Sequence, residues 1–495
     1  MVQTIIIILY FAVTVAIGLI SSKKSKSSDS FHGAAMGMFA IVAASAGEWL
    51  GGTATTGVSE YGFNYGLSGA WYTIANGIGV MFLALGFAKL YRSLSSVTVP
   101  GIIERFFGVK ARTVSSVLLT IVMLAVGLSQ MIAAGKLGQS LLGFDFTITV
   151  IVFAIIFIVY TLAGGMNAVA STNKLHLFVM YGGVIVAVIF ALTKVGGWGG
   201  FMDGIDAVET ADPSKNYFNM FSIGGSKVSS WIIAGLLGAC TAQAGIQPVL
   251  AAKDVPTAKK ACIITAFVAA PFGIFTALLG MIAKVMSHNG TLTDTLGNVV
   301  TDGKMALPTM MMHLHPVIGG LVLASILAAI LSTVSPIILS AGTMVTKDLY
   351  QRVLKPNATD AEVLKMSRIT TALSGVICAV GAIFLVNASA VLDLVYAAYS
   401  LRGAIFVVVL FGIYWRHASQ KASCISMVCT GVVAVLWVAI KLVTGSYIFG
   451  LTETYAAVIV AVVTMIVFST IFKPTVEEMA RKKPAKQIIA EAGNA

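Results

Sequence analysis

The stretch ASAGEWLGGTATTG, Ala44 to Gly57, lies inside an otherwise apolar run. It carries a carboxylate, Glu48, three threonines, and glycines at 47, 51, 52 and 57. Glycine loosens a helix and exposes its backbone, and an ionisable group in an oily setting is expensive. A segment that accepts both is expected to be a broken helix lining a polar cavity inside a lipid-embedded protein.

Composition supports that setting. The 495 residues are 58% hydrophobic and only 11% charged, with a mean hydropathy of +0.93. A soluble chain carries about 25% charged residues, so this one has too little polar surface to cover a globule in water. A single polytopic membrane domain over 1–473 is expected, all-α, with a short charged tail at 474–495. The 49 glycines fit close helix packing in lipid. The five cysteines, Cys240, Cys262, Cys378, Cys424 and Cys429, lie in or beside apolar runs without a CxxC spacing and read as small packing residues. His313 and His315, with no acidic or thiol neighbours, read as loop residues.

A membrane helix needs about 20 apolar residues. Thirteen segments meet that description: 3–20, 38–57, 66–91, 113–135, 146–163, 171–194, 229–249, 261–285, 316–346, 367–387, 389–414, 423–443 and 453–472. With the N-terminus outside, 24 Lys and Arg fall on inner loops and the tail, Lys23, Lys24 and Lys26 among them, and six fall outside. That bias predicts an odd count, N-out and C-in. The net charge of +12 is thereby a topology signal, and no nucleic-acid partner is expected. The first segment lacks charges before its apolar run, so it reads as a retained helix rather than a cleaved signal. The connection from 195 to 228 is acidic and aromatic and predicts a lid or a short surface helix.

Polar residues within the spans mark the chemistry. The first core segment holds Glu48, Thr53, Thr55 and Thr56. The segment AGLLGACTAQAGIQP repeats the style with Gly235, Gly238, Thr241, Gln243, Gly245, Gln247 and Pro248. Two glycine-interrupted polar helices, each opening a block of five, are the pattern of an inverted-repeat carrier, although glycines alone also serve packing. In SILAAILSTVSPIILSAGTMVTKDLY, the residues Ala329, Ser332 and Thr333 share one helical face. Two hydroxyls and a carbonyl there offer hard oxygens to a small cation, although Ser and Thr often bond back to their own helix.

LASILAAILSTVSPIILSAGTMVTKDLYQ, TVPGIIERFFG, YTLAGGMNAVASTNKLH and AIFVVVLFGIYWRHASQKAS together resemble, in order, four motifs of the sodium/solute symporter family. Members of that family carry proline, glucose, sialic acid or pantothenate. The resemblance covers nearly all of 1–445. It implies a LeuT-type fold with inverted repeats at roughly 38–196 and 229–414. It also implies a sodium site made by the carbonyls of Gly47, Leu50 and Ala329 and the hydroxyls of Ser332 and Thr333. Relatives with a second sodium use an acidic residue where this chain has Asn173 and a serine where it has Pro336, so one sodium is expected. Positions facing the family's central cavity are Glu48, Trp49, Thr53, Thr56, Tyr72, Asn76, Gln243, Tyr399 and Arg402.

Arg402 has two candidate partners, an internal one in Glu48 and a carboxylate on the solute, which it could hold bidentately. The preferred reading is the solute. Glu60, near the outer end of the first core helix, reads as a solvated or gate residue. The resulting expectation is a monomeric, non-enzymatic, sodium-coupled importer of a small polar, carboxylate-bearing solute in the plasma (inner) membrane. A proton-coupled carrier of the same fold, a transporter-like sensor and a channel are the alternatives. A 22-residue tail is too short for a kinase and weighs against the sensor.

Overall fold

A computed structural model describes residues 2–21, 27–142, 144–294, 296–386 and 391–493. Lys23, Lys24 and Lys26 lie outside the described residues, as do position 387 of segment 367–387 and positions 389–390 of segment 389–414. Among the described residues no β-strand forms. Nine helices there are long and apolar enough to cross a membrane, and Ile5–Ser21, Met38–Trp49 and Ala398–Tyr414 are shorter apolar helices.

In chain order the principal helices are α1 (Val2–Ser21), α2 (Met38–Trp49), α3 (Val58–Tyr65), α4 (Trp71–Phe82), α5 (Val99–Phe107), α6 (Val109–Leu142) and α7 (Phe146–Lys194). There follow α8 (Gly197–Ala211), α9 (Gly225–Gly238), α10 (Gln243–Leu250), α11 (Val255–Ala269), α12 (Phe272–His288) and α13 (Pro316–Met344). The series ends with α14 (Asp360–Leu385), α15 (Val391–Tyr414), α16 (Gln420–Thr444), α17 (Glu453–Ile471), α18 (Val476–Arg481) and α19 (Ala485–Gly493).

The sequence segments 146–163 and 171–194 emerge as one 49-residue helix, α7. At 1.5 Å per residue that is over twice the hydrocarbon thickness. Its kink falls at Gly165, where φ is 51° and ψ is −136°. A side chain there would be strained and would collide with the Phe31 carbonyl. The connection after α7 carries a helix, α8, that buries Phe201, Ile205 and Val208.

Large apolar side chains lie on the outside as well as in the core. Phe178, Phe267 and Phe384 are 67%, 70% and 81% exposed, an arrangement that suits lipid and would be a liability in water. At the centre is α13, buried at every residue from Val322 to Met344 and packed against α1, α6, α7 and α14. Without a hydrophobic drive between helices in lipid, association rests on close packing and interhelical hydrogen bonds of about 0.6 kcal/mol each. Thr276 supplies one to the Ala54 carbonyl (2.9 Å) and Ser45 another to the Gly245 carbonyl (2.8 Å).

A charged network closes one end of the bundle. Arg112 on α6 bonds Glu104 of α5 (2.5 Å) and Asp348 (2.6 Å), just past α13. Arg352 reaches the same glutamate (2.5 Å). Partial burial opposes the charge of Glu104, but hydrogen bonds from Arg352 and Arg112 outweigh it and hold the carboxyl below its ordinary value.

Candidate functional site

The first core helix does break. Regular α2 ends at Trp49, Leu50 takes φ −107° and ψ 30°, and a π-helical turn runs from Thr53 to Gly57 before α3. A second interruption separates α9 from α10, where Ala242 has ψ 89°. Both breaks are buried, so the freed backbone groups face protein or a cavity rather than lipid, as they must.

The glycines of α2 do more than loosen it. A Cβ at Gly47 would collide with the Ser332 carbonyl and the Asn173 amide, and one at Gly51 with the Thr333 hydroxyl. They are gaps that let α13 approach. Across that contact, the Thr333 hydroxyl donates to the Gly47 carbonyl (2.5 Å) and lies 3.2 Å from the Ala329 carbonyl. Ser332 donates to the same Ala329 oxygen at 2.8 Å. Four of the five predicted cation-site residues are therefore linked directly. The fifth, Leu50, is fully buried at the break itself. Hydroxyl protons now satisfy these carbonyls. A small cation would turn the hydroxyl lone pairs inward and replace the protons.

Gln130 of α6 supports the break. Its Oε1 accepts from the Gly52 amide (2.9 Å), and its Nε2 donates to the Thr53 hydroxyl (3.4 Å). Thr56 bonds back to the Gly52 carbonyl (2.8 Å). The reading from sequence did not single out Gln130; a glutamine in an apolar helix was the available signal.

Pro336 and Asn173 form a second unit beside the site. Proline has no N–H, so the Ser332 carbonyl loses its helical donor. The Asn173 Nδ2 supplies a replacement at 3.1 Å. Its Oδ1 remains buried without a hydrogen-bond partner.

The cavity residues partly assemble. Arg402 Nη1 lies 2.5 Å from Glu48 Oε1, with 4% and 1% of the two side chains exposed. The guanidinium also sits over the rings of Tyr399 (4.5 Å) and Trp49 (5.7 Å). Tyr399 and Tyr72 share a hydroxyl contact of 3.2 Å. Tyr72, Asn76, Tyr399 and Arg402 line one small cavity, joined by Trp231 and Glu453, which sequence reading did not assign. Of the two candidate partners for Arg402, the fold supplies Glu48. Gln243 departs from its expected position: its Oε1 accepts from Val99 N (2.8 Å) and its Nε2 donates to Val97 O (3.2 Å). As the first residue of α10 it is spent on the loop before α5, because the break redirects it. Thr241, within that break, instead donates to the Arg402 carbonyl (2.6 Å).

Two interrupted helices meeting an unbroken one at buried, oxygen-rich contacts define a membrane carrier of the secondary-transporter class. Solved structures of similar fold are carriers as well. A Na+-coupled sialic acid symporter, in a substrate-bound outward-open state, matches with a TM-score of 0.80 at 18% identity, covering 96% of this chain and 98% of that one. Mhp1, a nucleobase-cation-symport-1 family transporter in a closed conformation, matches at 0.57 and 14%, covering 92% and 98%.

The chain belongs to the sodium:solute symporter family, whose model matches residues 31–431. It is similar to a sodium/proline symporter of Staphylococcus aureus, 27% identical over 95% of this chain and 92% of the relative. The osmoregulated proline transporter OpuE of Bacillus subtilis is 26% identical over 97% and 94%. A sodium/glucose cotransporter of Vibrio parahaemolyticus is 23% identical over 85% and 82%. The protein is a multi-pass plasma-membrane secondary transporter, not an enzyme, and sodium is its coupled ion.

Proposed function

We propose that the chain imports a small polar, carboxylate-bearing solute together with one sodium ion by alternating access. In this reading thirteen crossings run with the N-terminus outside, inverted repeats span roughly 38–196 and 229–414, and a monomer suffices. The observation that carries it is the contact between broken α2 and α13, where Gly47, Leu50, Ala329, Ser332 and Thr333 gather carbonyl and hydroxyl oxygens in a buried place. An ion bound there joins two elements that must separate to open the site. It thereby binds the two states differently, which is the requirement for coupling.

Arg402 supports the anionic part of the solute. One of its nitrogens is held by Glu48, while its Nε is buried without a partner and free to receive an acceptor. Proline and sialic acid, named for the relatives above, carry carboxylates, whereas glucose does not.

The test is radiotracer uptake into proteoliposomes under an inward sodium gradient, with amino acids, carboxylates, sugars and nucleobases as the panel. Accumulation that requires sodium and a carboxylate on the solute is expected. Uptake that persists without sodium and follows a pH gradient would replace this reading with the proton-coupled one.

A further inference from the structure

Residues 476–493, which form α18 and α19, fold back over the end of the bundle that the Arg112 network closes. There α18 packs on α5, and Glu478 accepts from the Gln420 amide at the start of α16 (3.4 Å). The residue after α18, Lys482, is only 5% exposed. A buried ammonium is costly unless its donors are filled, and this one meets three carbonyls. Its Nζ donates to Trp415 O (3.3 Å), Arg416 O (3.4 Å) and Ala418 O in the turn after α15, and lies 4.9 Å from the Phe107 ring centre. Carbonyls at the end of a helix lack helical donors and favour a cation. The helix α19 goes elsewhere. It packs on the helix Ala88–Ser93, with Ile488 and Ile489 half-buried, and Ile489 shares a groove with Pro256 and Lys259 of α11.

These two anchors lie on opposite sides of the contact that must part. The helix Ala88–Ser93 packs on α11, and α11 packs on α2. The turn gripped by Lys482 joins α15 to α16, both of which pack on α6, and α6 packs on α13. Between α18 and α19 stand only Lys482, Lys483 and Pro484, a link that reaches about 11 Å at most. The two sides therefore cannot move far apart at this end while both anchors hold. We propose that residues 476–493 are a strap that restrains this end of the carrier from opening, with Lys482 as the fixed anchor and α19 as the one that lets go. The topology proposed above makes this the inner end. The anchors differ in chemistry: one is a buried charge on three carbonyls, the other a pair of half-buried isoleucines. Beneath the tail is a cavity of about 1060 Å³, bounded by Arg481, Lys483 and Ile488 on one side and by Glu104, Arg112 and Arg352 on the other. The strap spans a hollow, so α19 can lift without unpacking a core. From alternating access it takes only that α2 and α13 part, and it is independent of the solute.

The full-length protein is compared in sodium-free buffer with Lys482→Met, with Ile488→Ser plus Ile489→Ser, and with all three changes together. Hydrogen–deuterium exchange, which reads local opening, is followed at Gln243–Leu250. Gln243 joins α10 to the loop before α5 across the same division, so this helix reports whether the end opens. Lys482→Met and the α19 variant should each speed exchange there at least threefold. The combined variant should go no further, because a strap works only while both anchors hold. Peptides of α3, beyond the break in α2, should exchange as in wild type. Should Lys482→Met lose its melting transition, the α19 variant decides alone by the same peptide. The proposal falls if exchange at Gln243–Leu250 stays at the wild-type rate, or if only residues 415–423 exchange faster. It falls equally if the two sets of changes multiply, as independent packing losses would. Sodium that fails to slow exchange at residues 47–50 of wild type would remove the ion site proposed above, while a strap response at α10 stands.

Discussion

The Asn173 amide donates to the one carbonyl of α13 that Pro336 leaves without its helical partner, at Ser332. The two residues that the family resemblance marks as departures therefore belong together. An aspartate at 173 could not donate, and the proline needs a donor.

Asn173→Asp should lower stability by about 1–3 kcal/mol, the usual loss for a buried group left unsatisfied. In Pro336→Ala the helix N–H returns, so the same Asn173→Asp change should cost clearly less in that background. Thermal melts of both singles and the double measure the coupling; simple additivity would refute the pairing.

Sodium activation of transport should have a Hill coefficient near 1, since the family resemblance implies a second ion's ligands at the two positions that Asn173 and Pro336 fill. A reproducible value near 2, with matching charge movement, would show that another set of oxygens, Asn173 Oδ1 included, binds a second ion.

Thr333→Ala and Ser332→Ala each delete one hydroxyl from the α2–α13 contact. Each should raise the sodium half-saturation about tenfold, equivalent to about 1.4 kcal/mol, with little change in melting temperature. Unaltered sodium dependence in both variants would exclude the site.

The Glu48–Arg402 pair is buried on both sides. Arg402→Gln strands the carboxylate and should cost about 3–5 kcal/mol, and Glu48→Gln strands the guanidinium. The double variant should recover much of that stability without recovering uptake. Equal melting temperatures for wild type and Arg402→Gln would rule out the pair as a stabilising element.

Glu104 makes an acid-side prediction. Its carboxyl is held below its ordinary value by Arg352 and Arg112, so the folded state binds fewer protons than the unfolded one. The contribution is complete above the unfolded value of about 4.3 and disappears as pH falls through the depressed one. Glu104→Gln should flatten the loss of thermal stability across that window; an unchanged acid limb would discount the network.

Much of this was legible in the chain. The glycines and Glu48 of 44–57 announced a broken helix, and the 329, 332, 333 spacing put its partner oxygens on one face. The roles of Gly47 and Gly51 were less so, because a gap for Thr333 depends on a residue nearly 300 positions away. Gln243 was assigned to the cavity from its place along the helix, but the direction taken after a break depends on backbone angles that spacing does not encode. Glu453 escaped notice because a charge at the start of an apolar segment looks the same whether it faces water or packs at the wall of a cavity. The gap placed between 163 and 171 brackets the kink at Gly165, since a bilayer cannot be crossed once by so long a run.

The burial of α13 from Val322 to Met344 has a mechanical consequence. A helical stretch enclosed by other helices feels bilayer thickness mainly through them, and those adapt to mismatch by tilting at a cost of fractions of a kcal/mol per Å. The lipid-facing shell can therefore lean with the membrane while the half of the ion site carried by α13 keeps its geometry. Thinner or thicker host bilayers should change the rate at which the carrier cycles far more than the sodium concentration at which it half-saturates.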